Sequence, residues 1–260
     1  MKESISGHRM LGLAALCALL AGCNPKSSST SGPEGGPVPT SRMTIDLRVE
    51  SNEPGKAVVR ANLNDGKALA NSYRLDGGDY FQACLLGVCR SMADNDSLTS
   101  PDYIARFDFQ AGADYVVSFN RRQAQSAPDS RAMLPPDFTI VTPANSQQVT
   151  SGDTVLVSWS PTGAPARVSL TYQADCTFLS GTHSHTLEDL GPDSNGDGRE
   201  SVRIDPIVDH AREGVPSTIT RCSIDVIVSH QLQGRVDPAF NHGNAVGIVS
   251  RKVNLDYIPR

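Results

Sequence analysis

Residues 138–163 read FTIVTPANSQQVTSGDTVLVSWSPTG, and their apolar spacing decides the fold class. Phe138 and Ile140 sit two apart, and after a run of turn-forming residues Val155, Val157 and Trp159 do the same. A period of two puts those side chains on one face of an extended chain, which is the signature of a half-buried strand. PANSQQVTSGD between them is rich in Pro, Asn, Ser and Gly, the residues that turns require. A third strand follows in ARVSLTY, with Val168, Leu170 and Tyr172 sharing a face. Trp159 shares its face with two valines and is expected in the core rather than as an exposed stacking platform.

The same pattern recurs towards the N-terminus. MTIDLRVE alternates Met43, Ile45, Leu47 and Val49 with polar residues, and KAVVRANL, DYFQACLLGVC, YIARFDF and DYVVSFN follow, separated by turns such as LNDG and LDGGD. Short strands at this spacing predict a small sandwich, with Leu85 to Cys89 a tight bridged hairpin or bulge. RQAQSAPDSRAMLPP, residues 122–136, is polar and proline-containing and reads as a linker. Residues 42–121 and 137–260 are therefore expected to be separate domains. Residues 137–172 resemble the opening of fibronectin type III and related immunoglobulin-like domains, in which a Trp on the second strand packs against an aromatic on the third. The only Trp precedes both Cys176 and Cys222, whereas true immunoglobulin domains place it between their cysteines. The resemblance implies an all-β chain carrying two small immunoglobulin-like β-sandwich domains.

Ahead of the strands lies a different kind of sequence. Lys2 and Arg9 precede an apolar run from Met10 to Ala21, too short to span a bilayer and laid out as a secretory signal, residues 1–22. LAGC, Leu20 to Cys23, resembles the lipobox of bacterial lipoproteins. That resemblance implies cleavage before Cys23 and acylation of Cys23 by several chains, which hold a membrane where one chain would not. Asn24 stands where an aspartate often retains such proteins at the inner membrane, so the resemblance implies the outer membrane. Residues 24–41, NPKSSSTSGPEGGPVPTS, are almost without apolar side chains, and 23–41 is expected to be a lipidated, disordered tether.

The cysteines fit export. With Cys17 in the signal and Cys23 lipidated, Cys84, Cys89, Cys176 and Cys222 remain, an even set that predicts two local disulfides, Cys84 with Cys89 and Cys176 with Cys222. Removing Lys2, Arg9 and Glu3 leaves 21 basic against 27 acidic side chains, a net charge of about −6. That balance, with no basic patch, argues against nucleic acid as a partner.

Sequence motifs name no reaction. There is no G-x-S-x-G elbow, no H-E-x-x-H and no glycine-rich phosphate loop after a strand. Two stretches carry ligand chemistry. His183 and His185 would share a face of a strand and could grip one metal ion, with His210, His230 or His242 as third ligand. In GPDSNGDGRE, Asp193, Asn195 and Asp197 occupy the first, third and fifth places of an EF-hand-like calcium loop, Gly198 the sixth and the Arg199 carbonyl the seventh. The twelfth place is Ile204, and ESVRI reads as a strand, so a calcium site would need Ser201, Asp205 or Asp209 to close it. The other reading is a hairpin whose NG and DG pairs supply positive φ. Both stay open, with the missing acid favouring the turn.

The expected role is non-enzymatic, a lipid-anchored envelope protein that binds or braces, without a cofactor unless calcium. Its partners would be the lipid bilayer through Cys23 and an envelope protein or glycan, met by Asp193 to Gly198 and by FNHGN from Phe240. The competing expectation is an envelope metal carrier or enzyme built on the histidines and the acidic loop.

Overall fold

Most of the period-two positions become buried positions, with Ile140 and Val168 half-buried against the core. In the computed structural model, which describes residues 28–29, 37–67, 72–95, 101–162, 167–192 and 197–259, Ile45, Leu47 and Val49 are buried and their neighbours are not. The signal, Cys23 and the Asp193–Gly196 half of the acidic loop lie outside these residues.

The strands in chain order are β1 (Ser28–Ser29), β2 (Thr44–Ser51), β3 (Lys56–Asn64), β4 (Tyr73–Arg74), β5 (Tyr80–Leu85), β6 (Val88–Ser91), β7 (Ala93–Asp94), β8 (Tyr103–Asp108) and β9 (Asp114–Asn120). They continue as β10 (Ala127–Met133), β11 (Thr139–Thr142), β12 (Gln147–Val149), β13 (Thr154–Ser160), β14 (Arg167–Phe178), β15 (His183–Pro192), β16 (Arg199–Arg203), β17 (Ile219–Gln233) and β18 (His242–Tyr257). Among the described residues one α-helix, α1 (Ile204–Arg212), interrupts them. The chain is all-β, as its patterning predicts.

One long sheet runs β15-β14-β17-β18-β2-β3-β8-β7, and β12 pairs with the far end of β18. Two smaller sheets, β10-β9-β5-β6 and β11-β13-β16, complete the main architecture. The first buries Phe81, Tyr115 and Phe119, with Phe81 against Tyr103 and Tyr115 edge-on to Phe107. The second buries Val155, Val157 and Trp159, so the tryptophan is a core residue.

The long sheet is not divided at 121/137. His242 to Val249 of β18 lie parallel to Thr44 to Ser51, and Leu255 to Tyr257 lie parallel to Gln147 to Val149. The last strand thus pairs with both halves of the chain, and the buried apolar side chains form one connected cluster. Where β2 leaves, Arg251 reaches across: Nη1 donates to the carbonyls of Ser51 (2.9 Å) and Ser250 (2.7 Å), and Nη2 pairs with Asp137.

Within residues 122–136, expected as a linker, Ala127–Met133 forms β10 against β9. Its pattern is hidden because Pro128 and a register shift between Ala127 and Ser130 break the alternation, and one of its buried positions is a serine. Ser130 is satisfied by accepting from the Asp237 amide, 3.1 Å away. Close packing of β10 needs glycine: a Cβ on Gly247 would stand 1.8 Å from the Met133 oxygen, and one on Gly234 2.2 Å from the Arg131 oxygen. Both disulfides form as expected, each joining directly opposed residues of neighbouring antiparallel strands.

The helix is the element that strand patterning does not announce. Ile204, Ile207, Val208 and Ala211 recur at helical spacing and are the residues α1 buries. Pro206 is tolerated in the first turn, where no intrahelical donor is lost, and Gly214 at φ 75° ends the run.

Candidate functional site

The β14–β15 hairpin carries the densest set of exposed metal-binding side chains that the sequence points to. It turns over residues 179–181, centred on Ser180, with the Gly181 amide donating to Phe178 O (2.9 Å) and Gly181 at φ 81°. Counting outwards from that turn sets Thr177 opposite His183 and Asp175 opposite His185. Because strand side chains alternate, these four share one face, while Cys176 and Tyr172 point into the core on the other.

On the exposed face the two imidazoles are each engaged through Nδ1. His185 Nδ1 lies 2.6 Å from Asp175 Oδ1, and His183 Nδ1 lies 3.2 Å from Thr177 Oγ1. The His185 hydrogen bond, helped by Gln173 Nε2 on the other carboxyl oxygen (3.2 Å), outweighs partial desolvation and holds the Asp175 carboxyl below its ordinary value. A cleft of about 190 Å³ opens between Asp175, Thr177, His183 and His185. The polar face continues inward across the sheet, where Asn254 donates to Ser223 (2.7 Å) and Asp225 (2.8 Å), and Lys252 pairs with Asp225 (2.7 Å).

The other histidines are elsewhere. His210, on α1, contacts Tyr172 Oη (3.2 Å) and Glu188 (3.5 Å), on the opposite face of β14–β15 from His183 and His185. His230 is buried and stacks on Phe138 with ring centroids 4.0 Å apart, with Trp159 edge-on at 6.3 Å. His242 is exposed at the start of β18. Among the described residues, no three His, Cys, Asp or Glu side chains are disposed to hold one metal ion.

Of the acidic loop, Asp193 and Asn195 fall outside the described residues. Asp197 turns back on its own chain, accepting from the Arg199 amide (3.2 Å) and pairing with Arg199 Nε (2.9 Å). Gly198, at φ 76°, lies against Thr162, and its carbonyl accepts from the Trp159 amide (3.0 Å). Ile204, at the twelfth place, is fully buried as the first residue of α1. Asp205 is committed to another turn, accepting from Ser151 Oγ and the Gly152 amide at 2.8 Å each. In FNHGN, Phe240 is buried and stacks on Phe119 at 6.0 Å, so only the residues after it face outwards.

A second concavity, about 360 Å³, lies where β2 parts from β18. Pro54, Ile140, Pro143 and Val253 make its apolar wall, and Asp137, Asn145, Arg251 and Lys252 its polar one. Its two cations are already paired, with Asp137 and Asp225. It is a seam more than an anion site.

Asp175 is the site residue that motif reading misses. Its signal is the hairpin register: once the turn is centred on Ser180, the pairing of 175 with 185 follows by counting. No family model matches this chain, and no curated protein matches it.

Proposed function

We propose that this chain is a lipid-anchored protein of the bacterial cell envelope, held at the outer membrane through acylated Cys23, with a non-enzymatic binding or structural role. The observation that carries the reading is LAGC at residues 20–23, directly after a short apolar run and before a Ser, Gly and Pro-rich stretch. Two formed disulfides support an oxidising compartment. The sandwich-like layering of the sheets supports kinship in architecture with immunoglobulin-like envelope modules.

Binding by such a protein would use open surface. Strand β15 edges the long sheet with Leu187 and Leu190 exposed, and the bridged hairpin between β5 and β6 presents Leu86, 74% exposed. An envelope protein or glycan is the class of partner these surfaces suit.

The test is metabolic labelling of the full-length chain with an alkyne fatty acid in a bacterial host, followed by membrane fractionation. Wild type is expected to be labelled and to sediment with membranes, and Cys23→Ala to be unlabelled. Equal labelling of both, or a wild type free of label in the soluble fraction, overturns the reading.

A further inference from the structure

We infer that His183 and His185 form a surface site for one divalent transition-metal ion of the zinc, copper or nickel type, with Asp175 as the residue that positions His185. The inference stands independently of lipid anchoring.

The geometry is that of a metal-ready histidine pair. Two residues apart on one strand, the rings project from the same face and on the same side of the β14–β15 ladder. Each ring is engaged through Nδ1 by a β14 side chain, Asp175 for His185 and Thr177 for His183. A histidine that donates its Nδ1 proton to a carboxylate carries its lone pair on Nε2. That is the arrangement in which metal-ligating histidines are ordinarily fixed, the carboxylate setting both tautomer and ring orientation and raising ligand basicity. Among the described residues neither Nε2 of the pair is taken by a hydrogen bond. Both rings sit at a cleft that solvent enters, and the His185 side chain is 61% exposed.

Ligand chemistry then selects the ion. Two neutral imidazoles suit zinc, copper and nickel, whereas calcium and magnesium demand an oxygen cage that this face does not build. With only two protein ligands, the remaining coordination positions belong to water or to a donor from a partner molecule, which makes the site open rather than structural. Asp175 does not complete the first coordination sphere. Its Oδ1 holds His185 and its Oδ2 accepts from Gln173.

The experiment uses the full-length, untagged chain in mild detergent, titrated with Zn2+ by calorimetry and with Cu2+ by electron paramagnetic resonance. One ion per chain is expected, with a copper spectrum showing coupling to two imidazole nitrogens. His183→Ala and His185→Ala each should abolish stoichiometric binding, and His242→Ala should leave it intact. Asp175→Asn keeps both ligands but weakens the orienting bond, and it should lower zinc affinity about 10- to 100-fold at unchanged stoichiometry. All four substituted residues are exposed, and an unaltered metal-free melting curve confirms that each variant is folded. A His183→Ala/His185→Ala variant that binds as tightly as wild type overturns the proposal, as does a wild type that takes up no ion. Unchanged affinity in Asp175→Asn overturns the positioning role.

Discussion

Removing the guanidinium of Arg121 should detach residues 38–40, ahead of β2, and cost a large share of the protein's stability. Arg121 follows β9 directly, and its side chain is only 1% exposed, beside an Asp79 carboxylate that is 8% exposed. Nε bonds Asp79 Oδ2 at 2.9 Å, while Nη1 donates to the Val38 carbonyl and to Thr40 Oγ1 at 3.1 Å. The other Asp79 oxygen accepts from the Arg122 amide at 3.1 Å, and the Arg121 guanidinium lies 5.2 Å from the Phe119 ring centre. One cation therefore joins the β4–β5 turn, the end of β9 and residues 38–40 ahead of β2. Truncation to Met leaves a desolvated carboxylate without its counter-charge, which costs about 3–5 kcal/mol. Most of that is the orphaned charge rather than the attraction lost. The double variant Arg121→Met/Asp79→Leu should therefore fall short of the summed single effects by about 2 kcal/mol or more. Arg121→Lys keeps the charge but not the fork, so it should recover only part of the loss. Urea unfolding, followed by circular dichroism and by Trp159 fluorescence, measures all four. An Arg121→Met protein within about 1 kcal/mol of wild type, or strictly additive singles, would contradict a buried, charge-coupled role for this arginine.

Gly247→Ala should destabilise by about 3 kcal/mol, because its Cβ would meet the Met133 carbonyl backbone at 1.8 Å. Gly55→Ala, with a positive φ and open space around it, should cost only about 1 kcal/mol, and equal midpoints for the two in urea would sink the packing explanation. Replacing Cys176 and Cys222 with Ala opens a loop whose ends are 46 residues apart and should cost about 4 kcal/mol on the chain-entropy model. Denaturation of that variant without reductant, against wild type, reads it directly. The Asp205 carboxyl is held below its ordinary value chiefly by the Gly152 amide, then by Ser151. A depressed folded-state value stabilises above the unfolded value, near 3.9, and that contribution is lost as pH falls through the folded value. The gap in urea midpoint between wild type and Asp205→Asn should thus be full at pH 7 and close below about pH 4; a gap constant down to pH 2 contradicts the bond's role.

Strand-by-strand burial was legible because it is local. Met43, Ile45, Leu47 and Val49 carry their own period, and so do Val155, Val157 and Trp159, whichever strand becomes their neighbour. Pairing is not local, and there the reading of two successive units gave no sign that β18 serves both. His242 to Val249 look like any strand, and nothing in them says that their parallel partner is 198 residues earlier at Thr44 to Ser51. Residues 127–133 failed for a different reason. Their buried positions are Ala127, Ser130 and Ala132, which carry little hydrophobic signal, because β10 packs by backbone proximity over Gly234 and Gly247 rather than by large side chains.

The ligand-bearing stretches separate along the same line. GPDSNGDGRE has the spacing of a calcium loop in its first half, but such a loop is closed by residues further along the chain, and tertiary packing decides where those residues go. Ile204 fills the core at the start of α1, and Asp205 beside it is spent on the Ser151–Gly152 turn. Of the other two candidates for closure, Ser201 lies in β16 opposite Leu156, and Asp209 is exposed on the helix. The histidine pair fares better because its geometry is fixed by one tight hairpin. A register that can be counted from Ser180 brings Asp175 to His185 without help from the rest of the fold. A site whose parts lie within one hairpin is therefore readable from sequence, and one that must borrow a ligand across the fold is not. The same locality would make the proposed metal site robust: metal uptake should survive destabilising changes in the distant half, such as Arg121→Met, for as long as β14 and β15 stay paired.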